Sequence, residues 1–84
     1  MEKSVSSKKY KLFLRELVKA RRQAGVTQVE LAKRLKATQT FVSKCERGER
    51  RIDVIELREF CYAMGVSFNE FTKSLDRQLK RAPA

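Results

Sequence analysis

Only Lys36, Ala37 and Thr38 separate two stretches that each carry the marks of a short helix, and this spacing constrains the fold more than any other feature of the sequence. The first stretch opens at Thr27, whose hydroxyl can accept from the backbone three residues on. Glu30 stands there and can return the bond, which is the capping-box pattern. The stretch runs to about Leu35 and buries Leu31, Ala32 and Leu35. The second is capped by Thr38, spans Gln39 to about Arg47, and buries Val42 and Cys45. Two helices of about two turns each, joined by so short a turn, must cross steeply.

The remaining segments also read as helix. All three glycines follow a helical pattern, where a left-handed residue closes the last turn. Gly25 ends a first helix that starts near residue 8 and carries Tyr10, Phe13, Leu14, Leu17 and Val18 on one stripe, with Ala24 at its far end. Gly48 ends the third helix and Gly65 the fourth. Asp53 with Glu56 forms another capping box, opening the fourth helix with the stripe Val54, Leu57, Phe60/Cys61 and Met64. Ser67 with Glu70 opens a fifth, in which Phe68, Phe71, Leu75 and Leu79 share a face. No stretch alternates cleanly enough for a strand. The expectation is an all-α, five-helix bundle forming one domain over residues 1–84, with its core over about 8–80, flexible ends and a frayed tail at Arg81–Ala84. Leu31, Val42, Leu57 and Phe60 are expected to be buried together.

The charge is distributed unevenly. Of the net +10, residues 1–26 hold eight basic side chains against two acidic ones, and residues 27–51 seven against three. Residues 52–84 carry five of each sign, so the whole excess lies in the first 51 residues. A polyanionic partner is implied, met by the half that contains the paired short helices. No apolar run approaches the roughly 20 residues of a membrane span. The polar N-terminus MEKSVSSKKYK lacks an apolar signal core, so a cytoplasmic location is expected. Cys45 and Cys61 fall on apolar stripes and the chain has no histidine; both read as small core hydrophobes, with no metal site and no cofactor. No catalytic motif, glycine-rich phosphate loop or small-molecule site is evident, which argues against an enzyme.

The segment TQVELAKRLKATQTFVSKCERGER, residues 27–50, resembles the Xre/Cro-type helix-turn-helix family. LRELVKARRQAG resembles that family's first helix, and RRIDVIELREFCYAMGVS its fourth helix and following turn. The resemblance implies a lambda-repressor-like DNA-binding domain with its helix-turn-helix at residues 27–48. It also implies positions. Gln28 would sit by a phosphate and brace the third helix. Thr38, Gln39, Thr40 and Lys44 would face the major groove. Ser43 and Arg47 would lie near the backbone, and Arg50 and Arg51 in the loop beyond would contact phosphates. The chemistry agrees: amide and hydroxyl groups at a helix N-terminus can read base edges, Lys44 follows on the same face, and the basic cluster supplies salt-dependent affinity.

Other readings stand beside these. Thr27 and Glu30 are capping residues first. Arg21 and Arg22 read as a solvated helix end. Phe41 is either a core-edge residue or an exposed apolar group that touches thymine methyls. The family's turn often has glycine where this chain has Lys36. If that position is left-handed, lysine costs roughly 1 kcal/mol there. The leading function is a transcriptional repressor or activator binding a two-half-site operator as a homodimer, with part of the fifth-helix stripe and the end of the fourth helix as interface. An antitoxin that also masks a toxin is the alternative, and a nonspecific nucleic-acid coat or RNA binder a third.

Overall fold

The computed structural model describes residues 7–82. It contains five α-helices: α1 (Lys8–Gln23), α2 (Gln28–Leu35), α3 (Gln39–Arg47), α4 (Val54–Met64) and α5 (Phe68–Arg81). Among the described residues there is no strand, and no helix is long and apolar enough to cross a membrane.

Each helix start is fixed by a side chain. Ser7, Thr27, Thr38, Asp53 and Ser67 accept from the backbone nitrogens of Tyr10, Glu30, Phe41, Glu56 and Glu70, satisfying donors that no helical carbonyl can reach. At Thr27 and Asp53 the bond is reciprocated, because Glu30 and Glu56 accept from the cap residue's own nitrogen. Ser67 caps α5 without that return bond. The helix ends follow the expected pattern, with Gly48 closing α3 at φ 81°. The exception is Lys36, which closes α2 in the left-handed region at φ 56°. Its side chain makes the conformation cost about 1 kcal/mol relative to glycine.

The core lies where the five helices converge. Leu17, Leu31, Val42, Cys45, Phe60 and Cys61 are fully buried, and Leu57 joins them in the same cluster. The helix-turn-helix pair is therefore held from two sides: α1 packs against α3, and α4 against α2. α5 closes the bundle over α1 and α4. Both cysteines are buried as free thiols.

Several expectations change in the structure. Ala24 is exposed because it is the cap residue of α1, past the last turn that faces the core. Val54 is 64 % exposed: it is the first residue of α4, about 70° round the helix from the centre of the face formed by Leu57, Phe60, Cys61 and Met64. Val26 and Ile52 are buried instead, the first between α1 and α2 and the second before α4. Along α5, Phe71 is buried edge-on against Phe13 at 6.3 Å between ring centroids, and Phe68 and Leu75 pack on the core. Most of the α5 stripe thus covers its own domain. Arg81 is the last residue of α5 and Ala82 its cap, while the rest of the expected frayed tail and residues 1–6 lie outside the described residues.

Candidate nucleic-acid interface

α3 has two chemically distinct sides. Val42 and Cys45 face inward with no exposure. Thr38, Gln39, Thr40 and Lys44 are exposed together along the opposite edge, as the sequence implies. Their freedom differs. The Thr38 hydroxyl is occupied as the cap of α3. The Gln39 amide makes a long 3.4 Å bond to Gln28 Oε1. Thr40 and Lys44 stand open to solvent.

Behind this edge runs a network whose partners composition and periodicity do not reveal. Arg21, expected on a solvated helix end, is buried. Its Nε donates to Glu46 Oε2 at 2.7 Å, its Nη2 to Glu46 Oε1 at 3.1 Å and its Nη1 to the Val26 carbonyl at 3.0 Å. Gln28 Nε2 donates to the same Glu46 Oε1 at 2.8 Å. One carboxylate on α3 is thereby fixed to α1 and to the first residue of α2, and Gln28 passes the constraint on to Gln39. Arg22, the neighbour of Arg21, remains exposed. The missed signal is helical spacing: Arg21 lies four residues after Leu17, on the stripe that faces the core.

At the end of α3 and beyond it the basic residues are held in place by surface contacts. Arg47 donates to the Ser43 hydroxyl and, through Nε, to Glu49 Oε2 at 2.6 Å. That contact holds the Glu49 carboxyl below the usual carboxylate range. Arg50 grips Glu56 with both terminal nitrogens, Nη1 to Oε1 at 2.8 Å and Nη2 to Oε2 at 2.7 Å, and donates to the Arg51 carbonyl. Its guanidinium lies 4.9 Å from the Phe41 ring centre, and that of Arg51 lies 4.5 Å from the Tyr10 ring centre. Phe41 is half-buried, 6.4 Å from Phe60, so it is a core-edge residue covered by Arg50. The Tyr10 hydroxyl accepts from the Ile52 nitrogen at 3.0 Å, tying the loop to α1. A groove floored partly by Leu14 and Val18, with Glu46 also in its lining, carries Lys11, Arg15, Lys19, Arg22 and Arg47 and extends the basic surface across α1.

The structure thus brings Gln28, Gln39, Thr40, Ser43, Lys44 and Arg47 onto or beside one helix edge, with Arg50 and Arg51 in the loop past its C-terminus. A helix-turn-helix family model matches residues 17–71. An uncharacterized HTH-type transcriptional regulator, y4dJ, of Sinorhizobium fredii (strain NBRC 101917 / NGR234) is 38 % identical over 66 residues, covering 79 % of this chain and 86 % of that protein. The solved structure of an XRE-family like protein from Pseudomonas syringae pv. tomato str. DC3000 superposes with a TM-score of 0.79 at 44 % identity, over 83 % of this chain and 85 % of that one. With the closely joined α2 and α3 at its centre, the chain belongs to the Xre/Cro-type helix-turn-helix family of transcriptional regulators.

Proposed function

We propose that the chain regulates transcription, as a repressor or activator, by binding double-stranded DNA sequence-specifically with α3 in the major groove. The observation that carries this reading is the division of α3 into a buried side and an exposed edge of Gln39, Thr40 and Lys44, flanked by arginines. Amides and hydroxyls on such an edge discriminate base pairs, while Arg47, Arg50 and Arg51 supply phosphate contacts that carry no sequence information. Gln28, at the N-terminus of α2, sits where backbone N–H groups favour a phosphate. One α3 reads about half a site, so a homodimer on two half-sites one helical turn apart fits the function.

Selection of bound duplexes from a random pool tests the proposal. It should return a two-fold-symmetric site. Thr40→Ala or Lys44→Ala should then cost about 1–3 kcal/mol on that site and relax preference at one position. Equal losses for Thr40→Ala on random DNA would remove base reading from that residue.

A further inference from the structure

The outer face of α4 is apolar where a surface helix ought to be polar. Leu57, Phe60, Cys61 and Met64 face the core, yet Val54 and Ile55 are each 64 % exposed and Tyr62 is 84 % exposed. A helix that is apolar on two sides is normally covered on both. At about 100° per residue, Ile55 and Tyr62 fall on one line along the outer face, with Arg58 roughly 50° to one side of it and Glu59 roughly 50° to the other. Both charges are exposed, and neither forms an ion pair among the described residues.

We infer that this face binds a second copy of the chain, with the two α4 helices side by side and parallel about a two-fold axis. In that arrangement Ile55 meets Ile55 of the other copy and Tyr62 meets Tyr62. The axis exchanges the two flanks, so Arg58 faces Glu59 of the other copy on both sides of the seam. An antiparallel pairing would set Arg58 against Arg58 and Glu59 against Glu59, at a cost from like charges. The charge pattern therefore selects the parallel orientation. So does the function proposed above, on which this second argument rests. α4 begins directly after the loop that carries Arg50 and Arg51, and parallel helices place both copies' loops at the same end of the dimer, where one duplex can meet them. The seam is one short helix wide and well below the roughly 800 Å² per partner of a standard interface, so free dimers should be weak and DNA should assemble them.

Sedimentation equilibrium of the full chain without DNA, from low micromolar to hundreds of micromolar, separates this inference from the DNA-binding one. The chain should show a reversible monomer–dimer equilibrium. Ile55→Asp and Tyr62→Glu should each weaken it at least about tenfold while leaving the melting temperature unchanged, because neither side chain supports its own core. Arg58→Glu should weaken it by about three- to tenfold, with two pairs lost per dimer, and adding Glu59→Arg should restore it. Tyr62→Cys should oxidise to a covalent dimer, since parallel pairing sets position 62 against itself. A chain that stays monomeric throughout while binding its selected site would overturn the inference and spare the proposed function. A dimer that ignores Tyr62→Glu but is lost with Leu79→Glu would place the interface on α5 instead. A charge swap without rescue would overturn the parallel orientation, and a dimer of the stated kind that binds no DNA would count against the proposed function alone.

Discussion

Arg21 and Arg50 each hold a glutamate with two nitrogens, and the surroundings make these two pairs different devices. The Arg21–Glu46 pair has side chains 9 % and 5 % exposed, with the spare Arg21 nitrogen on the Val26 carbonyl and Gln28 on the carboxylate. In the Arg50–Glu56 pair the side chains are 44 % and 26 % exposed. Two charges removed from water are held only by one another and by their hydrogen bonds, so neither can leave alone. An exposed guanidinium can exchange its partner for a phosphate at little cost. The first pair sets where α3 sits against α1 and α2, and the second keeps a cation beside the interface until an anion competes for it.

The sharpest way to break this contrast is to remove one partner at a time. Glu46→Ala should destabilise the domain by about 3–5 kcal/mol in chemical unfolding, because it strands the buried Arg21 charge and leaves Gln28 without its acceptor. Arg21→Met should do comparable harm. The double variant Arg21→Met/Glu46→Leu should recover much of that loss, since an apolar pair of similar size asks for no solvation. It should not recover DNA affinity fully, because Gln28 would still have lost its hold and with it the support of Gln39. If Glu46→Ala costs less than about 1 kcal/mol, the buried pair is not the pivot described.

The same two pairs mark what the sequence reveals. The helix bounds, the caps and the left-handed positions were legible, because each depends on residues within one turn of one another: Thr27 with Glu30, Asp53 with Glu56, Gly48 after Arg47. Lys36 was different: the family's glycine at that turn raised a left-handed position only as a condition, and the structure meets it. Contacts that join distant residues were not legible from spacing. Arg21 reads as solvent-facing when only the run Arg21-Arg22 is considered, and its partner lies 25 positions away. The exposure of Val54 and Ile55 was equally hidden, since periodicity tells which residues could be buried and not whether a neighbour arrives to bury them. The residues along the α3 edge came from family resemblance together with local geometry, and their exposure agrees with it. Which of them is already engaged, as Thr38 and Gln39 are, needed the three-dimensional arrangement.

At the exposed pair the expected effects are smaller and move to binding. Arg50→Ala should leave the melting temperature nearly unchanged, even with the cover over Phe41 lost. Its affinity should fall on every duplex tested, and the dependence of log affinity on log salt should become shallower by about one. A salt slope unchanged for Arg47→Ala, Arg50→Ala and Arg51→Ala alike would move the phosphate surface to Lys8, Lys9 and Lys11 at the start of α1.

The smallest effect isolates the charge at Glu56 from its capping role. Glu56 Oε1 accepts from both Arg50 and the Asp53 nitrogen, and these two contacts, Arg50 first, hold its carboxyl below the usual carboxylate range. Glutamine retains the acceptor oxygen, so Glu56→Gln should keep the cap of α4 and lose only the ionic part of the grip. A carboxyl that is depressed in the folded state stabilises at pH values above its unfolded pKa, near 4.5. That contribution disappears as the pH falls through the lower folded value, because the folded state must then bind the proton it had refused. Wild type and Glu56→Gln should therefore differ by a constant margin, below about 1 kcal/mol for so exposed a pair, from neutral pH down to about 5. The margin should shrink below about pH 4.5. Thermal unfolding across that range checks it. A margin that persists undiminished into strong acid would mean that glutamine disturbs the cap itself, and the exposed grip would then be structural, like the buried one.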